Sequence, residues 1–324
     1  MNNFENIIKT IKSDLEQFDK YFNEVIKLNE PELKDFIDYA FSTNGKKIRP
    51  ILVYATAKLF GDSTITTHRA AVIIELIHTA TLLHDDVVDN AKIRRGKLSV
   101  NAKWDNKSSV LLGDLLFAKA MKYATDNKEH KLFDIITPAI IHLSSGELIQ
   151  NAYSKRFIVD LDLYYKIIKY KTASLLSICC ESAAYSLNAS ENEVQLCKKL
   201  GELLGIIFQI KDDILDYDRN NNSGKELGID IKEGKVTLPV IAAYNNMSDS
   251  AKEKLISLWN CEEKDSKTIN EIIDTVVNNN GITESEKIML KHKKEAITCL
   301  NNFKNSEVKD VFVELLDYVI ERNT

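Results

Sequence analysis

The chain has 324 residues, 44% hydrophobic and 28% charged, which suits one or two soluble globular domains with a large core. A formal net charge of −5 argues against a nucleic-acid surface. Five cysteines without a CxxC pair build neither a disulfide framework nor a zinc site, and a reducing cytoplasm fits them.

The N-terminus is amphipathic and carries Glu5, Asp14 and Glu16, unlike a signal peptide. Four prolines, Pro31, Pro50, Pro138 and Pro239, are separated by long proline-free stretches, as an all-helical chain requires. No alternating strand pattern with hairpin turns stands out. Residues 44–50 place Lys46, Lys47 and Arg49 beside the flexible Gly45. The most apolar stretch, residues 70–83, is interrupted by Glu75 and His78, so no membrane span is expected. Ile73, Leu76, Ala80, Leu83 and Val87 recur every three or four residues and predict a helix running into Asp85-Asp86-Val87-Val88-Asp89. Arg94-Arg95-Gly96 follows within two turns.

Gly146-Glu147-Leu148-Ile149-Gln150 comes next, with Glu147 and Gln150 one turn apart; they read equally as a pair that orients water or basic partners and as a polar helix pair, and no catalytic role is assigned to them. Lys171-Thr172 opens an apolar run, in which Cys179 and Cys180 read as small helix-packing residues. Leu200, Leu203, Ile207, Ile210 and Ile214 predict a second helix through Asp212-Asp213-Ile214-Leu215-Asp216. The Asn-rich stretch 220–224 is the clearest loop, and Lys225 and Lys235 flank the segment after it. Residues 251–324 read as polar amphipathic helices with a turn at Asn278-Asn279-Asn280-Gly281, and no chemistry is evident there. Without a repeat or low-complexity linker, a single domain over 1–324 is expected.

The repeated acidic pattern is the most informative feature. A single DDxxD is most often a solvated helix face. Two copies in apolar stretches are costly unless cations meet them. On a helix Asp85 and Asp89 share a face, as do Asp212 and Asp216, with about 6 Å of rise between members. A cluster of divalent ions holding a polyphosphate is the natural occupant, since Mg²⁺ takes a few carboxylates together with waters and phosphates. Each basic residue alone reads as a surface cation, but their placement beside the acidic motifs suits phosphate. His78 reads equally well as a half-buried structural histidine.

These motifs, in this order, resemble the trans-isoprenyl diphosphate synthases, the polyprenyl synthetase family. The resemblance runs from about Gly45 to Pro239 and includes Glu75-Leu76-Ile77-His78, residues 84–96, Phe208-Gln209-Ile210-Lys211 and residues 224–239. It implies an all-α isoprenoid synthase bundle around a central cavity, with the two acidic motifs facing each other at its mouth. It implies several Mg²⁺ ions, with Asp85, Asp89 and Asp212 as direct ligands and Asp86, Asp213 and Asp216 in support. Arg94, Lys171, Thr172, Gln209, Lys225 and Lys235 match the allylic diphosphate contacts, and Lys171, Thr172, Gln209 and Arg94 are the expected catalytic groups. Lys46, Arg49, His78 and Arg95 match the isopentenyl diphosphate site. The implied reaction condenses an allylic diphosphate, farnesyl or geranylgeranyl, with successive isopentenyl diphosphates and releases diphosphate.

Ala80 and Thr81, about one turn before Asp85, are small where short-chain members of the family often carry an aromatic floor. An all-trans product of about C30 to C50 is therefore expected, the tunnel lengthening by the helical rise of each added turn. Phe117 is a candidate for a deeper floor. Residues 104–121 resemble the family's dimer helix, so a homodimer is expected, or a catalytic subunit that needs a small partner. A cytoplasmic location is expected, with at most peripheral membrane contact for product release. Two departures, Asn44 where the family often has glycine and Lys47 where it often has arginine, leave Lys46 and Arg49 in place. A short-chain C15 or C20 synthase stays open. A terpene cyclase is disfavoured because its second metal motif is usually a mixed Asn/Asp, Ser/Thr, Glu pattern. A di-iron bundle needs two ExxH motifs and finds one at Glu75–His78. An HD-type phosphohydrolase, hinted at by His84-Asp85, leaves the second acidic motif unexplained.

Overall fold

The computed structural model describes residues 3–42, 47–154, 156–219, 227–261, 263–304 and 307–322. Lys46, Lys225 and the loop at 220–224 lie outside them. Helices make up nearly all of the regular structure, as the periodicity predicts. Among the described residues the exception is a small antiparallel hairpin, Ile93–Arg94 with Lys97–Leu98, in the register Ile93↔Leu98 and Arg94↔Lys97. Arg95 (φ 51°) and Gly96 (φ 76°) turn it, both left-handed as tight hairpins require. Two-residue strands are too short for alternation to show in a sequence.

Tertiary contacts sort the chain into two compact units. The first comprises Met1–Pro138, Ile178–Lys198 and Lys304–Phe312, and the second Ala139–Ser177, Lys199–Phe303 and Val313–Thr324.

The first unit is organised by the helix Ile65–Val88, which packs against the helices Asn106–Asp126, Ile48–Lys58 and Lys12–Ile26. Thr64 and Thr67 close its N-terminus with a reciprocal capping box. It is apolar nearly all round, with Ala70, Val72, Ile74 and Leu76 fully buried, as a core helix should be. The helix Asn106–Asp126 comes so close that a Cβ on Gly113 would stand 2.3 Å from Nε2 of His84.

In the second unit the helix Leu161–Ile168 runs into a π-helical turn, Lys169–Ala173, closed by the Ser174 N–H donating to the Lys169 carbonyl. Glycines of two other helices press on that turn and its continuation. A Cβ on Gly146 would sit 2.9 Å from the Lys171 amide nitrogen, one on Gly205 2.4 Å from the Ala173 Cα, and one on Gly201 2.4 Å from the Leu176 carbonyl oxygen. A separate core of Trp259, Leu255, Ile272, Ile273 and Val276 joins the helices toward the C-terminus. Cys179, Cys180 and Cys197 are buried, in keeping with a packing role.

The helix His130–Tyr153 is long and apolar enough to cross a membrane by length and composition, and 33% of its most apolar window is buried. Asp134, Pro138 and Glu147 interrupt it in the sequence and hid its length.

Two expected outcomes follow from the packing. Gly205→Ala should lower the unfolding free energy by about 1–3 kcal/mol in chemical denaturation, because the added methyl meets backbone; wild-type stability would contradict the close approach. The second concerns His68 and His78, both on the helix Ile65–Val88. Burial lowers the pKa of each, and His78, near Arg49, Arg95 and Arg94, lies well below the ordinary value. Unfolded histidine titrates near about 6.5, so below that pH the unfolded chain binds more protons. Stability should therefore be full above about pH 6.5 and fall as pH drops toward the folded values. His78→Gln should flatten that slope, measured by denaturation across pH, and an unchanged slope would remove His78 as a contributor.

Candidate active site

Each acidic motif closes its helix. Asp85 and Asp86 lie in the last turn of Ile65–Val88, with Asp89 as the capping residue. Asp212 and Asp213 lie in the last turn of Glu191–Leu215, with Asp216 just beyond. The Asp89 N–H donates to the Asp85 carbonyl (2.8 Å) and the Asp216 N–H to the Asp212 carbonyl (3.2 Å), so the four-residue stacking persists. The sequence pattern placed both motifs inside longer helices. At a C-terminus the backbone dipole is already negative, so carboxylates there call more strongly for donors or cations.

In the first unit Asp86 is 3% exposed, and Arg94 on the hairpin answers it, its Nε (2.8 Å) and Nη2 (2.5 Å) both donating to Oδ1. Asn101 Nδ2 donates to the Asp86 carbonyl (3.1 Å). Asp85 is half-buried and Asp89 exposed. Beside them opens a cavity of about 350 Å³, lined by Lys47, Glu75, Thr79, Asp86, Arg94 and Arg95 among others. Lys47 pairs with Asp19 at its rim.

Arg49 and Glu75 face each other electrostatically in this region. Burial lowers the Arg49 pKa and raises that of Glu75, while each charge opposes the other's shift. Arg49 Nε and Glu75 Oε2 are buried without a hydrogen-bond partner. His78 is buried and held neutral, so it has a neutral ring to offer an anion rather than a charge. Ala80 is fully buried, and Thr81 is buried with its hydroxyl donating to the His78 carbonyl (2.8 Å). The Phe117 ring lies 6.0 Å from that of His84.

In the second unit a cavity of about 130 Å³ is lined by Lys171, Thr172, Gln209, Asp213, Asp230 and Lys235 among others. A directed chain of hydrogen bonds crosses it. Thr172 Oγ1 donates to Gln209 Oε1 (2.7 Å), Gln209 Nε2 donates to Asp213 Oδ1 (2.8 Å), and the Tyr164 hydroxyl donates to Asp213 Oδ2 (2.7 Å). Burial, reinforced by Asp230, pushes the Asp213 pKa well up, while the bonds from Gln209 and Tyr164 restrain it. Asp216 accepts the Ile229 and Asp230 N–H groups (3.0 Å each), and so caps the short helix Ile229–Glu233. Asp230 itself is pushed up to about 7, first by burial and then by Asp216.

Asp212 pairs with Arg322, whose Nη2 lies 2.6 Å from Oδ1 and also donates to the Phe208 carbonyl (3.0 Å). The guanidinium stacks 3.7 Å from the Phe208 ring centroid. Lys171 pairs with Glu147 (2.6 Å) and Lys235 with Glu233.

The first cavity thus brings Arg94 and Arg95 to one wall with Asp86, and the second gathers Lys171, Thr172, Gln209, Asp213 and Lys235. Sequence reasoning missed Arg322, Tyr164 and Asp230 as neighbours of the second motif. Arg322 is 110 residues from Asp212 and no local pattern announces it. Asp230 lies within residues 224–239 of the family resemblance, but its neighbourhood to Asp213 and Asp216 depends on a contact that the sequence does not display.

Among the described residues no three His, Cys, Asp or Glu side chains converge into a metal cage. Asp85 and Asp89 are nevertheless hard oxygen donors with access to solvent. They fit Mg²⁺, which usually keeps its waters and binds one or two carboxylates plus substrate phosphates.

Residues 30–276 match the family described as polyprenyl synthetase. A prenyl transferase of Cyanidium caldarium is 34% identical over 97% of both chains. Heptaprenyl diphosphate synthase component 2 of Bacillus subtilis is 29% identical over 96% of this chain and 89% of its own. Among solved structures, a decaprenyl diphosphate synthase from Rhodobacter capsulatus superposes with a TM-score of 0.91 at 30% identity over 99% of both chains. A polyprenyl synthase from Caulobacter crescentus, complexed with calcium and isoprenyl diphosphate, gives 0.90 at 26% over 99% of this chain and 98% of its own. A geranylgeranyl pyrophosphate synthase from Bacteroides thetaiotaomicron gives 0.85 at 33% over 99% of this chain and 100% of its own. With its all-α architecture and the ordered motifs, the chain belongs to the polyprenyl synthetase family and is a prenyltransferase, a trans-prenyl diphosphate synthase.

Proposed function

We propose that this synthase extends farnesyl or geranylgeranyl diphosphate with successive isopentenyl diphosphates to an all-trans product of about C30 to C50, the length being a family analogy built on the rise of each helical turn. The observation that carries the length is the absence of an aromatic side chain one turn before Asp85: position 80 is alanine and position 81 threonine, both buried. The likeness to a decaprenyl diphosphate synthase supports this reading. A C20 product is the second reading, favoured by the likeness to a geranylgeranyl pyrophosphate synthase.

Breaking the allylic C–O bond separates a carbocation from a diphosphate anion. Mg²⁺ held by Asp85, Asp89 and Asp212 would supply Lewis-acid neutralisation of the leaving diphosphate. Arg94, Lys171, Lys225 and Lys235 add positive charge to the same anion. Arg94 keeps Nη1 for this while Nε and Nη2 hold Asp86. Thr172 and Gln209 serve the cation side. The Gln209 amide gives its N–H to Asp213, and Thr172 gives its O–H to Gln209, so the remaining lone pairs of both oxygens are left for positive charge. Asp213 acts by holding this chain in place, and Asp216 by capping the helix of Asp230 and the turn to Lys235. Lys46, Arg49, His78 and Arg95 take the isopentenyl diphosphate. His78 contributes a neutral ring, and Arg49 is steadied by Glu75. The isopentenyl double bond attacks the cation, and the proton lost afterwards passes to the released diphosphate. Exclusion of water protects the cation.

Homodimerisation is the partner reading, and a small regulatory subunit is its alternative, suggested by the Bacillus subtilis relative being one component of a synthase. Incubating the purified chain with Mg²⁺, labelled isopentenyl diphosphate and farnesyl diphosphate tests both. Elongation by the chain alone supports the homomeric reading, elongation only with a second protein supports the heteromeric one, and none under any condition contradicts the reaction.

Asp85→Ala and Asp212→Ala should each reduce kcat by about 100-fold or more in that assay. Ala80→Phe and Thr81→Phe should each shift the dephosphorylated products to shorter chains on chromatography. An unchanged distribution in both would remove these positions from length control.

A further inference from the structure

We propose that Glu147 is a positioning residue for the allylic diphosphate, acting through Lys171. The inference rests on the reading of Lys171 as a diphosphate contact.

Lysine is a poor anion ligand unless something fixes it, because its four-carbon stem carries about 2 kcal/mol of rotamer entropy. Lys171 is fixed from two sides. Its backbone lies in the π-turn Lys169–Ala173, an irregular segment that helices use to aim particular side chains. The helix His130–Tyr153 meets that turn through three neighbouring residues. His142 stacks on Tyr170 with ring centroids 4.3 Å apart and planes 15° off parallel. Gly146 lets the backbones touch, since a Cβ there would come within 2.9 Å of both the Lys171 nitrogen and the Tyr170 Cβ. Glu147, the next residue, places Oε1 2.6 Å from Lys171 Nζ.

The pair is neither exposed nor sealed: the lysine side chain is 28% exposed and the glutamate 26%. In this half-buried setting the interaction orders the stem without removing the ammonium from the cavity that Lys171 lines. An ammonium has three N–H donors, so one spent on Glu147 leaves two for phosphate oxygens. Glu147 thus aims the ammonium before substrate arrives, and the entropy of fixing the side chain is not charged against binding.

The test compares Glu147→Ala, Glu147→Gln, Lys171→Ala and Glu147→Ala/Lys171→Ala in steady-state assays with farnesyl diphosphate, isopentenyl diphosphate and Mg²⁺. Glu147→Ala should raise KM for farnesyl diphosphate about tenfold, a typical coupling for a contacting pair. It should leave kcat and the KM for isopentenyl diphosphate nearly unchanged. Glu147→Gln is isosteric and keeps an acceptor oxygen, so it should fold normally and fall between the wild type and Glu147→Ala. In the Lys171→Ala background the Glu147 substitution should add nothing. If Lys171→Ala raises KM for farnesyl diphosphate while both Glu147 variants match the wild type, the inference fails and the role of Lys171 stands. Independent, multiplying effects, or a lowered KM in Glu147→Ala, would equally overturn it. If Lys171→Ala leaves that KM unchanged, the reading of Lys171 fails first and takes the inference with it.

Discussion

Negative charge gathered at the C-terminal ends of two long helices is the constraint on which the rest of the site depends. Backbone carbonyls already make such an end negative, and each motif adds three carboxylates to it. Folding therefore has to supply donors or cations. The described residues show how: Arg94 meets Asp86, Arg322 meets Asp212, Tyr164 and Gln209 share Asp213, and backbone N–H groups meet Asp216. These answers differ in kind. A carboxylate that accepts two fixed hydrogen bonds from neutral groups, as Asp213 does, is a structural anchor. Asp89, exposed at a helix end, is suited to an exchangeable cation.

This inequality divides six identical side chains among different tasks. The more deeply placed middle residue of each motif faces a protein partner, while the flanking residues share a face and keep more access to solvent. Coulombic attraction between an aspartate and a guanidinium is also strong enough in a half-buried setting to hold a distant part of the chain in place. Arg322 does this for the end of the C-terminal helix Glu307–Glu321, with the Phe208 ring beneath it.

Much of this was legible before any coordinates. Three- and four-residue recurrences marked the helices that carry both motifs, and the order of short motifs marked the family. What stayed hidden depends on contacts or on elements too short to have a period. The Arg94-Arg95-Gly96 run showed cations near the first motif, but not that they form a hairpin with Arg94 turned back on Asp86. Glu147 and Gln150 stay open in the sequence between a polar pair and a pair that orients a basic partner, because the partner of Glu147 lies 24 residues away across a π-turn that no propensity announces. The 24-residue helix His130–Tyr153 escaped because two acids and a proline break its apolar run on paper, whereas helix length is decided by backbone continuity.

The π-turn at Lys169–Ala173 has one more consequence. A π-turn amounts to a single extra residue accommodated within a helix, so every side chain after it is rotated by roughly 100° from where an uninterrupted helix would set it. Loss of one residue from this segment would let regular winding resume with the flanking helical segments still in phase, so what would be lost is the widened turn itself and the local aim of Lys171 and Thr172. Glycines on adjoining helices, with no room for so much as a methyl group, also leave no space for the turn to migrate along the chain. The extra residue is thus held in place, and its loss would be felt at Lys171 and Thr172 rather than in the helical segments beyond.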